Sequence, residues 1–198
     1  MEYLVTMTTR VPDGTPEQEV SEVRAREAAH SAELAAQGHL LRLFRPPLKP
    51  GEWRTLGLFA AADGDRLEEV LASMPLRVWR SDDVTPLAPH PNDPGWPAGP
   101  RQATEFLTTF TITVPEGTPV QVVTGTEARE AERAHELAEQ GHLERLWMLG
   151  PGRVLGLWQA SDLAEMQAIL KSLPMDSWMS VQTTPLTEHP NDPAIAGT

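Results

Sequence analysis

Val11-Pro12-Asp13-Gly14-Thr15-Pro16 returns later in the chain as Val114-Pro115-Glu116-Gly117-Thr118-Pro119. The agreement extends outward from this stretch. Gln37-Gly38-His39-Leu40 returns as Gln140-Gly141-His142-Leu143, and Leu56-Gly57-Leu58 as Leu155-Gly156-Leu157. Thr85-Pro86-Leu87 returns as Thr184-Pro185-Leu186, and His90-Pro91-Asn92-Asp93-Pro94 returns intact as His189-Pro190-Asn191-Asp192-Pro193. The order is constant, and only the segment between Phe44 and Leu56 is longer than its counterpart, as a surface loop tolerates. The chain is therefore a tandem duplication. Copy one covers residues 1–94 and copy two residues 105–198, joined by a Pro/Gly-rich linker over 95–104.

Each copy reads as strand, helix, strand, strand, helix, strand. In copy one, Tyr3 to Val11 alternates like a strand. Thr15 and Pro16 read as cap and first residue of a helix that Gly38 ends. Leu40 to Phe44 and Arg54 to Ala60 are strands, Asp65 to Ser73 is a helix, and Val84 to Leu87 lies in the last strand. This βαββαβ order is the ferredoxin-like arrangement of the α+β class. Both helices fall on one sheet face. The other face needs a cover, so the two copies are expected to pair through their sheets as an intrachain pseudo-dimer.

Composition narrows the function. Acidic residues number 28 against 16 Lys and Arg, for a formal charge of -12, which disfavours nucleic-acid binding. There is no cysteine, so thiol chemistry is excluded. No apolar run approaches the roughly 20 residues of a membrane span, and Met1 to Arg10 lacks a signal-peptide core. A cytoplasmic protein with no membrane partner is expected.

The first helix of each copy carries an anomaly. At 100° per residue, Val20, Val23, Ser31 and Leu34 share one side, and Glu27 falls among them. Glu130 lies likewise among Val123, Ala134 and Leu137. A carboxyl facing a core has a raised pKa and suits proton transfer. The bland alternative is a Glu at the stripe edge, snorkelling or paired with an Arg. Arg24, three residues before Glu27, is placed either to pair with it or to bind a substrate anion. Copy two has Glu127 there, so the copies are chemically unequal and copy one is favoured for activity.

Other candidates follow the same repeat. His39 and His142 sit just past the helix-ending glycines, as acid–base groups or as donors to the last helix carbonyls. Arg42 precedes Phe44, and Arg145 precedes Trp147, by two strand residues. Each pair is a cation beside an aromatic wall for a planar or acidic substrate, or else an ion pair or stack. His90 and His189 open a turn cluster suited to anchoring a tail, and Trp79 and Trp178 read as core. No His spacing suggests a metal site.

These residues resemble the muconolactone isomerase family along nearly the whole of each copy. The likeness runs through Met7-Thr8, Pro12, Arg24-x-x-Glu27 (the family has Lys-x-x-Glu), Gly38, Phe44 or Trp147, Met74-Pro75-Leu76 or Leu173-Pro174-Met175, and His90-Pro91 or His189-Pro190. The resemblance implies a cofactor-independent isomerase, or a related cyclase or lyase, that moves a proton within a small unsaturated lactone or carbonyl compound. Glu27 and Glu130 would be its proton shuttles and Arg24 its anion binder. It also implies homo-oligomers, here built from pseudo-dimeric chains, with aromatic catabolism or secondary metabolism as setting. The rival reading is a non-catalytic small-molecule-binding or assembly module on the same fold.

Overall fold

The computed structural model describes residues 1–96 and 103–195. The centre of the expected linker, residues 97–102, lies outside the described residues. Among the described residues there are nine strands and four helices, of which copy one supplies β1 (Glu2–Thr9), α1 (Glu17–Ala36), β2 (Leu40–Arg45), β3 (Arg54–Ala60), α2 (Gly64–Ser73) and β4 (Arg80–Pro89). Copy two supplies β5 (Thr104–Ile112), α3 (Val120–Glu139), β6 (Leu143–Gly150), β7 (Arg153–Ala160), α4 (Leu163–Lys171), β8 (Met179–Pro185) and β9 (Thr187–Glu188). A 3-10 turn, Pro75–Trp79 or Asp176–Trp178, precedes the last long strand of each copy. The ferredoxin-like βαββαβ reading holds for both copies.

Helix ends follow from local chemistry, with one correction. Pro16 itself is the N-cap of α1, and no side chain caps that end. The Thr15 hydroxyl instead donates to the Pro12 carbonyl at 2.7 Å and closes the preceding turn. Pro119 and Thr118 repeat this in copy two. At the far end Gly38 has φ +75°, where glycine is at ease. Its N–H donates to Ala35 and that of His39 to Leu34, which satisfies the last carbonyls of the helix.

The compact units are not the sequence copies. Unit 1 comprises Met1–Leu87 with Thr187–Thr198, and unit 2 comprises Ala88–Leu186. In unit 1 the antiparallel strands run β4-β1-β3-β2-β9, so copy two's tail forms the edge strand beside β2. In unit 2 the order is β8-β5-β7-β6, and the end of β4 lies beside β6 through Ala88↔Met148 and Pro89↔Trp147. Each unit therefore takes its edge from the other copy's tail. In unit 1, Tyr3, Val5, Met7, Leu43 and Phe59 pack against Leu34 of α1 and Leu67, Val70 and Leu71 of α2. In unit 2, Phe106, Phe110, Leu146 and Trp158 meet Leu137 of α3 and Met166, Ile169 and Leu170 of α4. The repeated Leu-Gly-Leu sits mid-sheet for a steric reason. A Cβ on Gly57 would come within 2.9 Å of the Met7 methyl, and one on Gly156 within 2.9 Å of the Thr108 hydroxyl.

The tails are held by buried ion pairs. Asp192 accepts from Arg42 Nε and from the Leu43 N–H, each at 3.1 Å. Asp93 accepts from Arg145 Nε at 3.0 Å and from the Leu146 N–H at 2.8 Å. The Arg42–Asp192 side chains are 3% and 3% exposed, against 8% and 17% for Arg145–Asp93. Removing one partner strands the other in a dry site. Asp192→Ala is expected to cost about 3–5 kcal/mol in urea denaturation, and Asp93→Ala clearly less, since its arginine keeps some solvent.

Candidate active site

Glu27 points inward as its helix position requires. Val23, Glu27, Ser31 and Leu34 are the buried residues of α1. Its Oε2 accepts the backbone N–H of Leu76 at 2.8 Å, in the turn between α2 and β4. Its Oε1 accepts from Arg80 at 3.1 Å. Arg80 in turn pairs with Asp82 at 2.6 Å. Burial pushes the Glu27 carboxyl above its ordinary pKa, while the Leu76 N–H and the Arg80 charge pull the other way. Arg24 does not pair with Glu27. It lies over the Trp53 ring, 4.4 Å from the centroid.

Glu27 opens on a cavity of about 420 Å³ between α1 and the sheet of unit 1. Arg24, Arg45 and Arg80 line it, with Thr9, Ser31, Thr55 and Trp53. The tail of copy two adds His189, Pro190 and Asn191. His189 Nδ1 accepts the N–H of Asn191 at 3.2 Å, so the neutral ring carries its proton on Nε2. Burial, reinforced by Arg45 and opposed by Asp192, lowers its pKa to about 4.

Unit 2 repeats the geometry with different chemistry. Glu130 Oε2 accepts the N–H of Met175 at 2.9 Å. Burial raises its pKa, opposed by that one backbone bond. The cavity beside it is about 560 Å³, and copy one's tail supplies its His90, Pro91 and Asn92. His90 Nδ1 likewise accepts from Asn92, and burial lowers its pKa. At six equivalent lining positions Thr9, Arg24, Ser31, Arg45, Thr55 and Arg80 are replaced by Ile112, Glu127, Ala134, Met148, Val154 and Met179. Every arginine of the unit 1 cavity has gone.

The remaining expected residues sit elsewhere. His39 and His142 line neither cavity. Their Nδ1 atoms lie 3.1 Å from the carbonyls of Ala60 and Gln159, a structural tie between helix end and strand. Arg42 and Arg145 are bound by the tail aspartates and stack over Phe44 and Trp147, at 4.3 and 4.7 Å. Phe44 and Trp147 are fully buried beneath them and face neither cavity. The ion pair and the stack, not a substrate wall, describe these four residues. Sequence reasoning missed Arg80, Arg45 and the cavity role of His90 and His189. Arg80 against Met179 was the available signal, a cation present in one copy only. Among the described residues no three His, Asp or Glu side chains converge as metal ligands would, and no helix is long and apolar enough to cross a membrane.

Two ferredoxin-like units, each with an inward carboxyl at a cavity between helix and sheet, define the class of protein. The chain belongs to the muconolactone delta-isomerase family, whose model matches residues 1–93 and again 104–192. The muconolactone delta-isomerase of Cupriavidus pinatubonensis is 33% identical over 92 residues, 46% of this chain and 97% of that protein. Muconolactone delta-isomerase 1 of Acinetobacter lwoffii is 30% identical over 87 residues, 43% of this chain and 91% of that one. Over the full chain the fold is similar to a chlorite dismutase mutant of Candidatus Nitrospira defluvii, with TM-score 0.63 and 9% identity over 99% of this chain and 94% of that one. It is also similar to a heme-binding protein of Thermus thermophilus, with TM-score 0.58 and 11% identity over 95% and 92%. At such identities the likeness is one of fold alone.

Two pH effects follow. His189 is depressed below its unfolded pKa of 6.5, so its share of stability is whole above that value and is lost as pH falls towards about 4. His189→Gln is expected to flatten that part of the acid limb in thermal melts. Glu130 is raised above 4.5, so its share is present at acid pH and lost as pH rises through the folded value. Glu130→Gln is expected to raise the Tm near pH 8 and to leave it unchanged near pH 4.

Proposed function

We propose that the protein is a cofactor-independent isomerase that moves a proton within a small unsaturated lactone or carbonyl compound bearing an anionic group, and that unit 1 carries the reaction. The observation behind this reading is Glu27. It is a buried carboxyl of raised pKa, held by a backbone N–H and an arginine, at a cavity with cations on its wall. Family membership supports the same chemistry.

In the carboxylate form Glu27 removes a proton from the carbon gamma to the carbonyl. The electron pair moves through the conjugated system to the carbonyl oxygen, giving an enolate. The same carboxyl then returns the proton to the alpha carbon, or the reverse, so nothing is gained or lost overall. Arg24 and Arg45 are the cations available for the substrate anion and the developing enolate charge. The Nε2–H of neutral His189 is a further donor for that oxygen. Arg80 orients Glu27, and its charge favours the carboxylate form against the effect of burial.

Glu27→Gln is expected to lower kcat on candidate unsaturated lactones by about 10²–10⁴-fold with the fold intact. The wild-type rate should rise with pH through the raised pKa of Glu27, since the carboxylate is the active form. Full activity in Glu27→Gln would overturn the assignment to unit 1. Full activity in the Glu27→Gln/Glu130→Gln double variant would overturn the mechanism itself.

A further inference from the structure

We infer that the cavity of unit 2 is a second ligand site with a different preference, for a neutral, largely apolar small molecule carrying one carbonyl or hydroxyl group. Three observations carry this. Its volume, about 560 Å³, falls within the roughly 300–1,000 Å³ of small-molecule pockets. Its wall is largely apolar: Phe110 and Val154 on the strands, Ala134 on α3, Met148 on β6, Met175 and Met179 after α4. Among the described residues its charged lining is Glu127 and Glu130, both carboxylates, with no Lys or Arg to meet an anion.

The comparison within the chain makes these facts specific. Both cavities keep the inward Glu, its backbone N–H donor and the tail histidine. What differs is the set of groups that would hold an anion. Arg24, Arg45 and Arg80 become Glu127, Met148 and Met179. Thr9, Ser31 and Thr55, which would hydrogen-bond a polar ligand, become Ile112, Ala134 and Val154. A site that had merely decayed would collapse or fill, because an interior tolerates few voids. This one remains open and lined by adaptable methionines. Glu130 has one polar partner, the Met175 N–H, among the described residues. A ligand carbonyl would accept from its protonated carboxyl, and a ligand hydroxyl would donate to it. His90, neutral with its proton on Nε2, is the second polar contact.

The test uses two dyes of one aromatic frame. N-phenyl-1-naphthylamine is neutral, and 1-anilinonaphthalene-8-sulfonate carries a sulfonate. Each is titrated into the full chain by fluorescence, with thermal melts to verify folding. The neutral dye is expected to bind one site per chain. Ala134→Phe, which fills the unit 2 cavity, should weaken it at least about tenfold. Ser31→Phe, the equivalent change in unit 1, should leave it unchanged. Met179→Arg restores the copy one residue without adding bulk to the helix face. It should weaken the neutral dye and strengthen the sulfonated one, each at least about tenfold, since it adds a cation to a wall of carboxylates and, as Arg80 does with Glu27, engages the glutamate that a neutral ligand would use. Met179→Arg alone decides the matter should Ala134→Phe not fold. No binding of the neutral dye, its loss in Ser31→Phe but not in Ala134→Phe, or tighter binding of the sulfonated dye to the unit 2 site would each overturn the inference. Isomerase activity read in Glu27→Gln bears on unit 1 alone, so the two proposals fail separately.

Discussion

One hydrogen bond sets the character of both units, that from a backbone N–H to an inward glutamate. Leu76 donates to Glu27 and Met175 to Glu130, at 2.8 and 2.9 Å. A carboxyl in the middle of a helix's apolar stripe is costly to desolvate. The donor must come from something rigid and close. The 3-10 turn after the second helix supplies it, because the first N–H groups of such a turn have no partner within it. The bond fastens α1 and α3 to those turns and compensates for only part of the desolvation. The pKa of each glutamate stays raised. A wholly satisfied carboxylate would be a poor base, and a wholly unsatisfied one would deform the helix packing around it.

Around that fixed bond the two copies have diverged. Unit 1 adds Arg80 at the second oxygen and arginines along the wall. Its cavity combines a buried carboxyl with cations on the wall, the arrangement that the proposed proton transfer through an enolate would use. Unit 2 keeps the carboxyl and replaces the arginines. The difference concerns few residues, all on the cavity wall. The strands, glycines and turns beneath them are the same in kind.

Much of this was legible in the sequence, and the failures have identifiable causes. The repeat and the βαββαβ order rest on local signals, and those survive folding. Glu27 and Glu130 were found because helical spacing is fixed and their positions depend on nothing remote. Arg80 was not found, since its approach to Glu27 depends on β4 lying opposite α1, a relation between residues 53 apart. Arg24 was the nearer candidate in sequence, but Trp53, from the loop that is longer in copy one, holds it instead. The face occupied by Arg42 and Phe44 could not be read from alternation because the pairing of β2 with β3 slips between Leu40 and Arg42. His39 and His142 follow the helix-ending glycine so closely that Nδ1 meets a neighbouring strand carbonyl before anything else. The tail motif was read as an anchor, and the anchor is the aspartate. The histidine three residues earlier is thereby delivered to a cavity wall.

That division of labour within His-Pro-Asn-Asp-Pro explains why the motif is identical in the two copies while the walls are not. Its aspartate must fit a socket made by an arginine and the next backbone N–H, Arg42 with Leu43 or Arg145 with Leu146. Each tail docks in the unit built mainly from the other copy. A change in one tail would therefore have to match a socket encoded in the other half of the gene, and each socket is itself buried and intolerant. The wall residues answer to no such partner. Arg45→Met148 or Arg80→Met179 alters what a cavity accepts without disturbing the tail, the sheet or the glutamate's backbone bond. Duplication thus left the frame doubly constrained and the lining free, and two cavities with differently charged walls are the consequence such a chain should show.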